Sequence, residues 1–523
     1  MSLSNTIKRV SSDNLFYFSL LLMCVALPTS IFLISISQFA MAIAWLWKGN
    51  HKESFNKFLD NRTAVCIVSI FFIHIIGLAY TSNWNYASND IRIKLPILII
   101  PLLIVGFKPL AEKQLHFLIK IFIYATLVST LVSTFILLGF SNIQVTDVRQ
   151  ISILISHIRL SLMICLGIFL GAYLVIKSEM QMLEKAILSA IIVWFVAFLI
   201  ISESGTGIII LSSVLCLLFL YFNMQKVNFL YKLLSSIVII SVIIFSIIKL
   251  GNMYSDFQFV HKINMNKLDE KTLNGAHYDH RKSETATENG YYVGLYQNWN
   301  ECKQEWNKRS NINADGKDMR GQYIEYTMKR YLTSKGLRKD SVGVSKLTNE
   351  DIQNIEKGIT NYKFANAGIA KRINDIFYEY KVFKSNGDAD GHSVYMRLVF
   401  WKTALHIIQQ HPIFGVGEGD INDAFIQQYQ KDNVKLEKHY WLRAHNQYLN
   451  IAVAFGVVGL IIFLVLMFQI LKTNWNFYNI IFMMIILLSF LNEDTLETST
   501  GAVFFTFFVS LFTIGYDFKK LED

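Results

Sequence analysis

Arg443, His445 and Asn446 stand at the head of a long apolar run, "RAHNQYLNIAVAFGVVGLIIFLVLM". A helix entering lipid ordinarily opens with an aromatic anchor or a snorkelling lysine. An imidazole, the side chain that ordinarily titrates near neutral pH, beside a guanidinium and an amide suits proton transfer held at a membrane surface. A second set of residues precedes it in "HSVYMRLVFWKTALHIIQQHPIFGVGEGD". There Val394, Leu398, Trp401, Leu405 and Ile408 recur at helical spacing and form one apolar stripe. Arg397 and Trp401 are one turn apart and share a face. Pro412 ends this helix. The glycines that follow let the backbone turn sharply and approach a ligand closely, carrying Glu418 and Asp420 with them. No Gly-Lys-Ser/Thr follows, so the stretch is not a P-loop. Arg397, from an interfacial helix, and His445, from the head of a span, are expected to meet at the outer membrane surface.

The elements that position these residues are set by composition. The 523 residues are 53% hydrophobic and 17% charged, where a soluble chain carries roughly a quarter charged residues. Runs such as "LLSSIVIISVIIFSIIKL" are long enough to cross ~30 Å of hydrocarbon. The pattern predicts an all-α, polytopic bundle of about twelve spans, near 15–30, 32–48, 63–81, 94–107, 114–140, 159–177, 185–202, 205–223, 229–250, 446–470, 476–491 and 500–516. Pro28 either separates the first two or kinks one long helix. Lys and Arg concentrate in alternate loops, which puts both termini inside and leaves only Arg92, Lys94, Arg149 and the acidic "NEDTLE" in the short outer loops. Three regions follow: an N-terminal bundle of about nine spans (1–250), a large outer loop domain (251–445) and about three C-terminal spans (446–523). The loop domain is expected to be small and mostly helical, with Thr348 or Asn349 as an N-cap and "HYDHRKSETATENG" looser. The basic "MSLSNTIKRV" lacks a small-residue cleavage site, so the first apolar stretch reads as a retained span.

The ordered set Arg397, Leu398, Trp401, His411, Pro412, Gly415, Gly417, His445, Asn446, Leu449, Gly456, Gly459 and Leu460 resembles the C-terminal signature of the O-antigen ligase and O-antigen polymerase superfamily. The resemblance implies a glycosyltransferase of the cytoplasmic (inner) membrane with its active site facing the periplasm. Its donor would be a glycan on a polyprenyl (undecaprenyl) diphosphate carrier. The acceptor hydroxyl would belong to lipid A–core (ligation) or to a second carrier-linked glycan (polymerisation). By similarity Arg397 holds the diphosphate and His445 is the general base. No metal or other cofactor is implied, arginines neutralising the leaving group instead. Family members carry a second arginine in a Ser-Arg pair at the outer end of a mid-chain span. This chain has "ISESGTGII" there, with Glu203. Arg159 in "SHIRLSL" is the expected substitute, with Arg443 the next choice. Arg443, Asn446, Glu418, Asp420 and Trp401 complete the expected diphosphate- and glycan-binding set.

Each residue also has a plainer reading. His445 suits a backbone-satisfied interfacial histidine, Arg397 a structural ion pair with Glu418 or Asp420, Arg159 a headgroup anchor and Asn446 a helix cap. Glu493, Asp494 and Glu497 read as a solvated loop. His277, Asp279 and His280 have ligand types but no matching second cluster, so no metal site is expected there. Cys24, Cys66, Cys165 and Cys216 lie in apolar runs and Cys302 stands alone, so no disulfide scaffold is expected. The net charge of +10 reflects loop lysines and arginines that orient spans, not a nucleic-acid footprint. A non-enzymatic flippase or exporter of lipid-linked glycans is the rival from another class. It would line its mid-spans with charge, and His74 and Lys120 are the main candidates.

Overall fold

The computed structural model describes residues 11–141, 143, 148–224, 229–365, 368–386, 389–391 and 393–516. Helix dominates, and the one sheet among the described residues is a two-stranded hairpin. The protein is all-α and polytopic. Each of the twelve expected apolar segments lies on a helix: α1 (Ser12–Thr29), α2 (Ile31–Lys48), α4 (Arg62–Gly77), α5 (Trp84–Val105), α6 (Glu112–Leu137), α7 (His157–Lys177), α8 (Met182–Ile201), α9 (Gly205–Met224), α10 (Phe229–Gln258), α18 (Gln447–Thr473), α19 (Phe477–Ser489) and α20 (Ser499–Thr513). Seven of the described helices are long and apolar enough to cross a membrane, and α9, α19 and α20 are shorter apolar helices. A short polar helix, α3 (His51–Asp60), links α2 to α4. Pro28 sits at the end of α1, and Ser30 caps α2 through its hydroxyl, so the first two segments are separate helices.

The chain divides into two compact units. One comprises 1–143, 149–221 and 382–523, the other 144–148 and 222–381. In the first, α20 is the central helix: every residue from Thr500 to Thr513 is buried. A helix apolar on all sides can only be a core helix or a span. Its phenylalanines pack edge-on or tilted against one another and against Phe122 of α6 and Phe482 of α19. Lipid tails are as apolar as these rings, so such packing stabilises through contact and not through escape from water. On the outside of the unit Phe32, Phe39, Ile43 and Leu46 of α2 are exposed, as suits lipid-facing positions. The same unit includes α16 (Ser393–Gln410) and α17 (Ile421–Lys431), both packed on α18.

α18 is broken. Gly456 has φ 65° and ψ −166° inside it. The ladder bonds that should run from Val457 and Val458 back to Val453 and Ala454 are replaced. Val457 N and Val458 N donate to the carbonyls of Pro412 and Ile413, at 2.8 and 3.4 Å. Val416 N and Gly417 N donate to the freed carbonyls of Val453 and Ala454, both at 2.9 Å. The 412–417 segment therefore satisfies the backbone groups that the break exposes, as irregular backbone buried in a membrane protein must. This accounts for two glycines of the motif. Gly415 has φ 69°, and a Cβ there would overlap the Ala454 carbonyl; a Cβ on Gly456 would overlap that of Ile413.

The second unit holds α10, the strands β1 (Thr287–Glu288) and β2 (Tyr291–Tyr292), and the helices α11 (Trp299–Trp306), α12 (Ile324–Ser334), α13 (Ser341–Ser345) and α14 (Asn349–Glu356). It also takes α15 (Ile369–Asn386) as far as residue 381. Its core gathers Trp306, Met328, Tyr331, Leu332, Val344 and Ile355. Thr348 is the N-cap of α14 and forms a reciprocal capping box with Asp351, worth about 1 kcal/mol. All five cysteines are free.

Candidate active site

α7 opens with His157, so Arg159 lies in its first turn, and that side chain is buried. α16 supplies Arg397. The two guanidinium groups converge on one carboxylate, Glu493, in the loop between α19 and α20. Arg397 Nη2 is 2.9 Å from Glu493 Oε1, and Arg159 Nη1 is 3.6 Å from Oε2. Arg159 also donates through Nε and Nη2 to the Thr498 hydroxyl, at 3.3 and 3.2 Å. Arg397 Nη1 donates to the Ser393 carbonyl, while its buried Nε has no partner among the described residues.

His445 faces the next carboxylate along. Its Nδ1 lies 3.5 Å from Asp494 Oδ1, within ion-pair reach but without a hydrogen bond among the described residues. The residue holds φ 45°, a left-handed conformation that is uncommon outside glycine but more accessible to histidine than to most. Such strain persists only where surroundings fix it. Here Trp401 Nε1 donates to the Ala444 carbonyl at 3.0 Å on one side. On the other, Asn446 accepts from Leu449 N at 3.0 Å as the N-cap of α18 and donates to the Leu491 carbonyl at 2.9 Å.

Arg443 spans two acids, 3.4 Å from Asp494 and 3.2 Å from Glu497. Burial pushes the Asp494 carboxyl up, but His445 and the charges of Arg443 and Arg159 outweigh it and hold the group at about 2. Burial would lower the Arg443 pKa; Glu497 and Asp494 raise it instead. Gln447 and Asn450, on the first turn of α18, donate to Glu497 and Asp494 at 2.9 and 3.3 Å.

Behind this layer lies a fully buried hub. Lys94 Nζ contacts Asp90 at 2.5 Å, Glu418 at 3.1 Å and Glu497 at 2.7 Å. Glu418 also meets His74 Nδ1 at 2.8 Å. The Gly415–Gly419 loop delivers Glu418 by packing on the end of α4, where Thr81 Oγ1 accepts from Gly419 N at 3.0 Å. A continuous chain of contacts thus runs from His74 through Glu418, Lys94, Glu497, Arg443 and Asp494 to His445. Across the layer and the hub, five carboxylates face four permanent cations, with two imidazoles as the remaining groups.

Of the expected residues, Arg159, Arg397, Arg443 and His445 all contact the 493–497 loop, and Asn446 and Trp401 hold the His445 backbone. Glu418 reaches the loop through Lys94. Asp420 lies apart: its oxygens accept from the backbone N–H groups of Ser82 and Asn83, at 2.7 and 2.8 Å. Glu203 takes φ 51° in the turn between α8 and α9. Three expectations need correction. Glu493, Asp494 and Glu497 are buried, not a solvated loop, because three arginines draw them inward. Lys94 is no outer-loop cation: α5 begins ten residues before the apolar run, at Trp84, and places Asp90 and Lys94 one turn apart on its buried face. Buried ionisable groups are consequently more numerous than His74 and Lys120. The signal for all three lay in "NEDTLE", three acids within a short connection between apolar helices, and in the Asp90/Lys94 spacing.

His445, Glu493 and Asp494 offer ligand atoms within 4.8 Å of one another, the one such grouping among the described residues. Both carboxylates are already matched by guanidinium groups, so a cation would have to displace Arg159, Arg397 and Arg443. His277, Asp279 and His280 do not form such a group among the described residues; Asp279 pairs with Arg281.

Residues 357–464 match the family model described as O-antigen ligase. This match supports the O-antigen ligase superfamily for that segment of the chain. The matched segment contains α16, the glycine loop, the His445 turn and α18 through its break. It stops short of the 493–498 loop and lies far in sequence from Arg159 and Lys94. No curated protein matches the chain. The superfamily is one of ligase- and polymerase-type membrane glycosyltransferases acting on lipid-linked glycans. The helices agree with a multi-pass membrane protein of that kind.

Proposed function

We propose that the protein transfers a glycan from a polyprenyl diphosphate carrier to an acceptor hydroxyl at the periplasmic face of the inner membrane, with lipid A–core as the acceptor. The observation that supports this reading is the convergence of Arg159 and Arg397 on Glu493, with His445 against the adjacent Asp494. Two guanidinium groups side by side suit a diphosphate, whose oxygens they grip in a planar fork. Arg397 Nε, buried and without a partner among the described residues, is a further donor for it.

In the reaction the acceptor oxygen attacks the sugar C1. His445 takes the hydroxyl proton as the new C1–O bond forms. The C1–O bond to the carrier breaks, and its electron pair leaves on the diphosphate, whose growing charge the arginines stabilise. Attack from the face opposite the leaving group inverts the anomeric centre. A tautomer with Nδ1–H toward Asp494 would leave the Nε2 lone pair to accept the proton, the acid orienting the base once the 3.5 Å contact tightens on substrate binding.

The test is reconstitution of the purified protein with carrier-linked glycan, with and without lipid A–core, beside His445→Ala. Ligation that His445→Ala abolishes supports the reading. Extension of carrier-linked chains without lipid A–core would make the protein a polymerase. Glycan crossing the bilayer with no new bond, unaffected by His445→Ala, would sink the reading altogether.

A further inference from the structure

The second unit contains a cavity of about 360 Å³ that none of the chemistry above uses. It is bounded by the end of α10, the β1–β2 hairpin, the 359–364 segment and α15, and it falls within the roughly 300–1,000 Å³ of small-molecule sites. Its floor is internally hydrogen-bonded. Arg330 donates through Nε to Glu288 Oε1 at 2.6 Å, and its Nη2 lies 2.5 Å from the same oxygen. Its guanidinium lies 4.7 Å from the centre of the Tyr378 ring. The second Glu288 oxygen accepts from Asn361 Nδ2 at 3.0 Å. Asn289, with φ 47° at the tip of an Asn-Gly hairpin, donates to the Ser334 carbonyl at 2.8 Å. Asn-Gly is the pair such a turn favours.

The walls differ. Arg320 and Lys363 line the cavity as exposed side chains, with Lys371, Asp256 and Asp375 also in the lining; among the described residues neither the Arg320 nor the Lys363 side chain has a hydrogen bond or ion pair, only their backbone N–H groups being bonded. Asn374 also lines it, its amide without a partner among the described residues. Phe257 and Phe364 add aromatic surface. Two exposed cations without protein partners among the described residues, with an amide and flat apolar faces over a polar floor, suit a ligand with a carboxylate and ring hydroxyls, provided the carboxylate sits on the Arg320 and Lys363 side of the cavity, away from Asp256. We propose that this cavity binds an acidic saccharide, its carboxylate held between Arg320 and Lys363 and its ring against the aromatic side chains. That the ligand is an anion rests on the cavity alone; that it is a saccharide rests also on the proposed glycan-transfer function.

The experiment uses the full-length protein in detergent, titrated calorimetrically with digalacturonate, with the neutral disaccharide maltose and with inorganic phosphate. Digalacturonate is expected to bind, with maltose at least tenfold weaker. The Arg320→Ala/Lys363→Ala variant is expected to weaken digalacturonate at least tenfold while its melting temperature stays unchanged. Asn374→Ala, a milder change at the same wall, should weaken it by a smaller factor. His445→Ala should bind digalacturonate like the parent, which separates this site from the transfer chemistry. Failure of digalacturonate to bind, or equal binding by the double variant, overturns the proposal. Phosphate binding as tightly as digalacturonate, with the same loss in the variant, overturns its saccharide half.

Discussion

At the scale of single residues, the acid–imidazole–arginine layer makes separable predictions. A positioned general base contributes about 10²–10⁴-fold, so His445→Ala is expected to lower the rate of glycan transfer at least 100-fold without lowering the melting temperature. Arg397→Lys keeps the charge but loses the fork, and its transfer rate should fall by at least tenfold in the same assay. Asp494 gives a pH signature. Its folded pKa of about 2 lies below the ordinary 3.8, so its contribution is complete above pH 3.8 and is lost as pH falls through about 2. The difference corresponds to about 2 kcal/mol. Thermal unfolding in detergent between pH 2 and 6 should show this loss, and Asp494→Asn should flatten that part of the profile. The residues themselves were unevenly legible. Arg397 and His445 stood out because a guanidinium and an imidazole at the edge of apolar runs have few plain explanations. The acids that receive them did not, because a short acidic stretch between spans looks like any solvated turn until its cationic partners are known.

At the scale of elements, Lys94 ties α5, the glycine loop and the 493–497 connection together through three carboxylates. Removing one partner from a buried ion-pair network costs about 3–5 kcal/mol, so Lys94→Met is expected to lower the melting temperature sharply and to reduce the yield of monodisperse protein on size exclusion. The helix break should be equally intolerant. Gly415→Ala and Gly456→Ala combine positive φ with a backbone overlap, whereas a Cβ on Gly205 meets open space. The first two should each destabilise by more than the 1–3 kcal/mol of backbone strain alone, and Gly205→Ala should leave the melting temperature within a degree or two. Apolar periodicity exposed the helices, since hydrocarbon-length runs are a strong signal. It could not reveal the break in α18, because a glycine within an apolar run looks the same whether or not the ladder continues through it. Nor could it find the true start of α5, whose first turns are polar and are buried only by tertiary partners.

At the scale of the whole molecule, the alternation of basic loops predicts an orientation that chemistry can read directly. In a cysteine-free background, Ser283→Cys should react with a membrane-impermeant maleimide in intact spheroplasts, and Glu179→Cys only after the membrane is opened; the reverse labelling would invert the topology. The order in which the chain assembles follows from the knitted break. The amides of Val416 and Gly417 find their acceptors only once the first two turns of α18 exist, and α18 in turn has no complete set of backbone partners without them. Without Gln447 onward, the 412–417 segment would leave the Val416 and Gly417 amides without the acceptors they have in the fold. A chain lacking residues 412–417 would carry a span that the insertion machinery reads as apolar but that cannot rest in the bilayer. Deletion of residues 412–417 is therefore expected to abolish stable membrane integration of α18, read as loss of carbonate-resistant protein, while leaving α1 to α8 inserted.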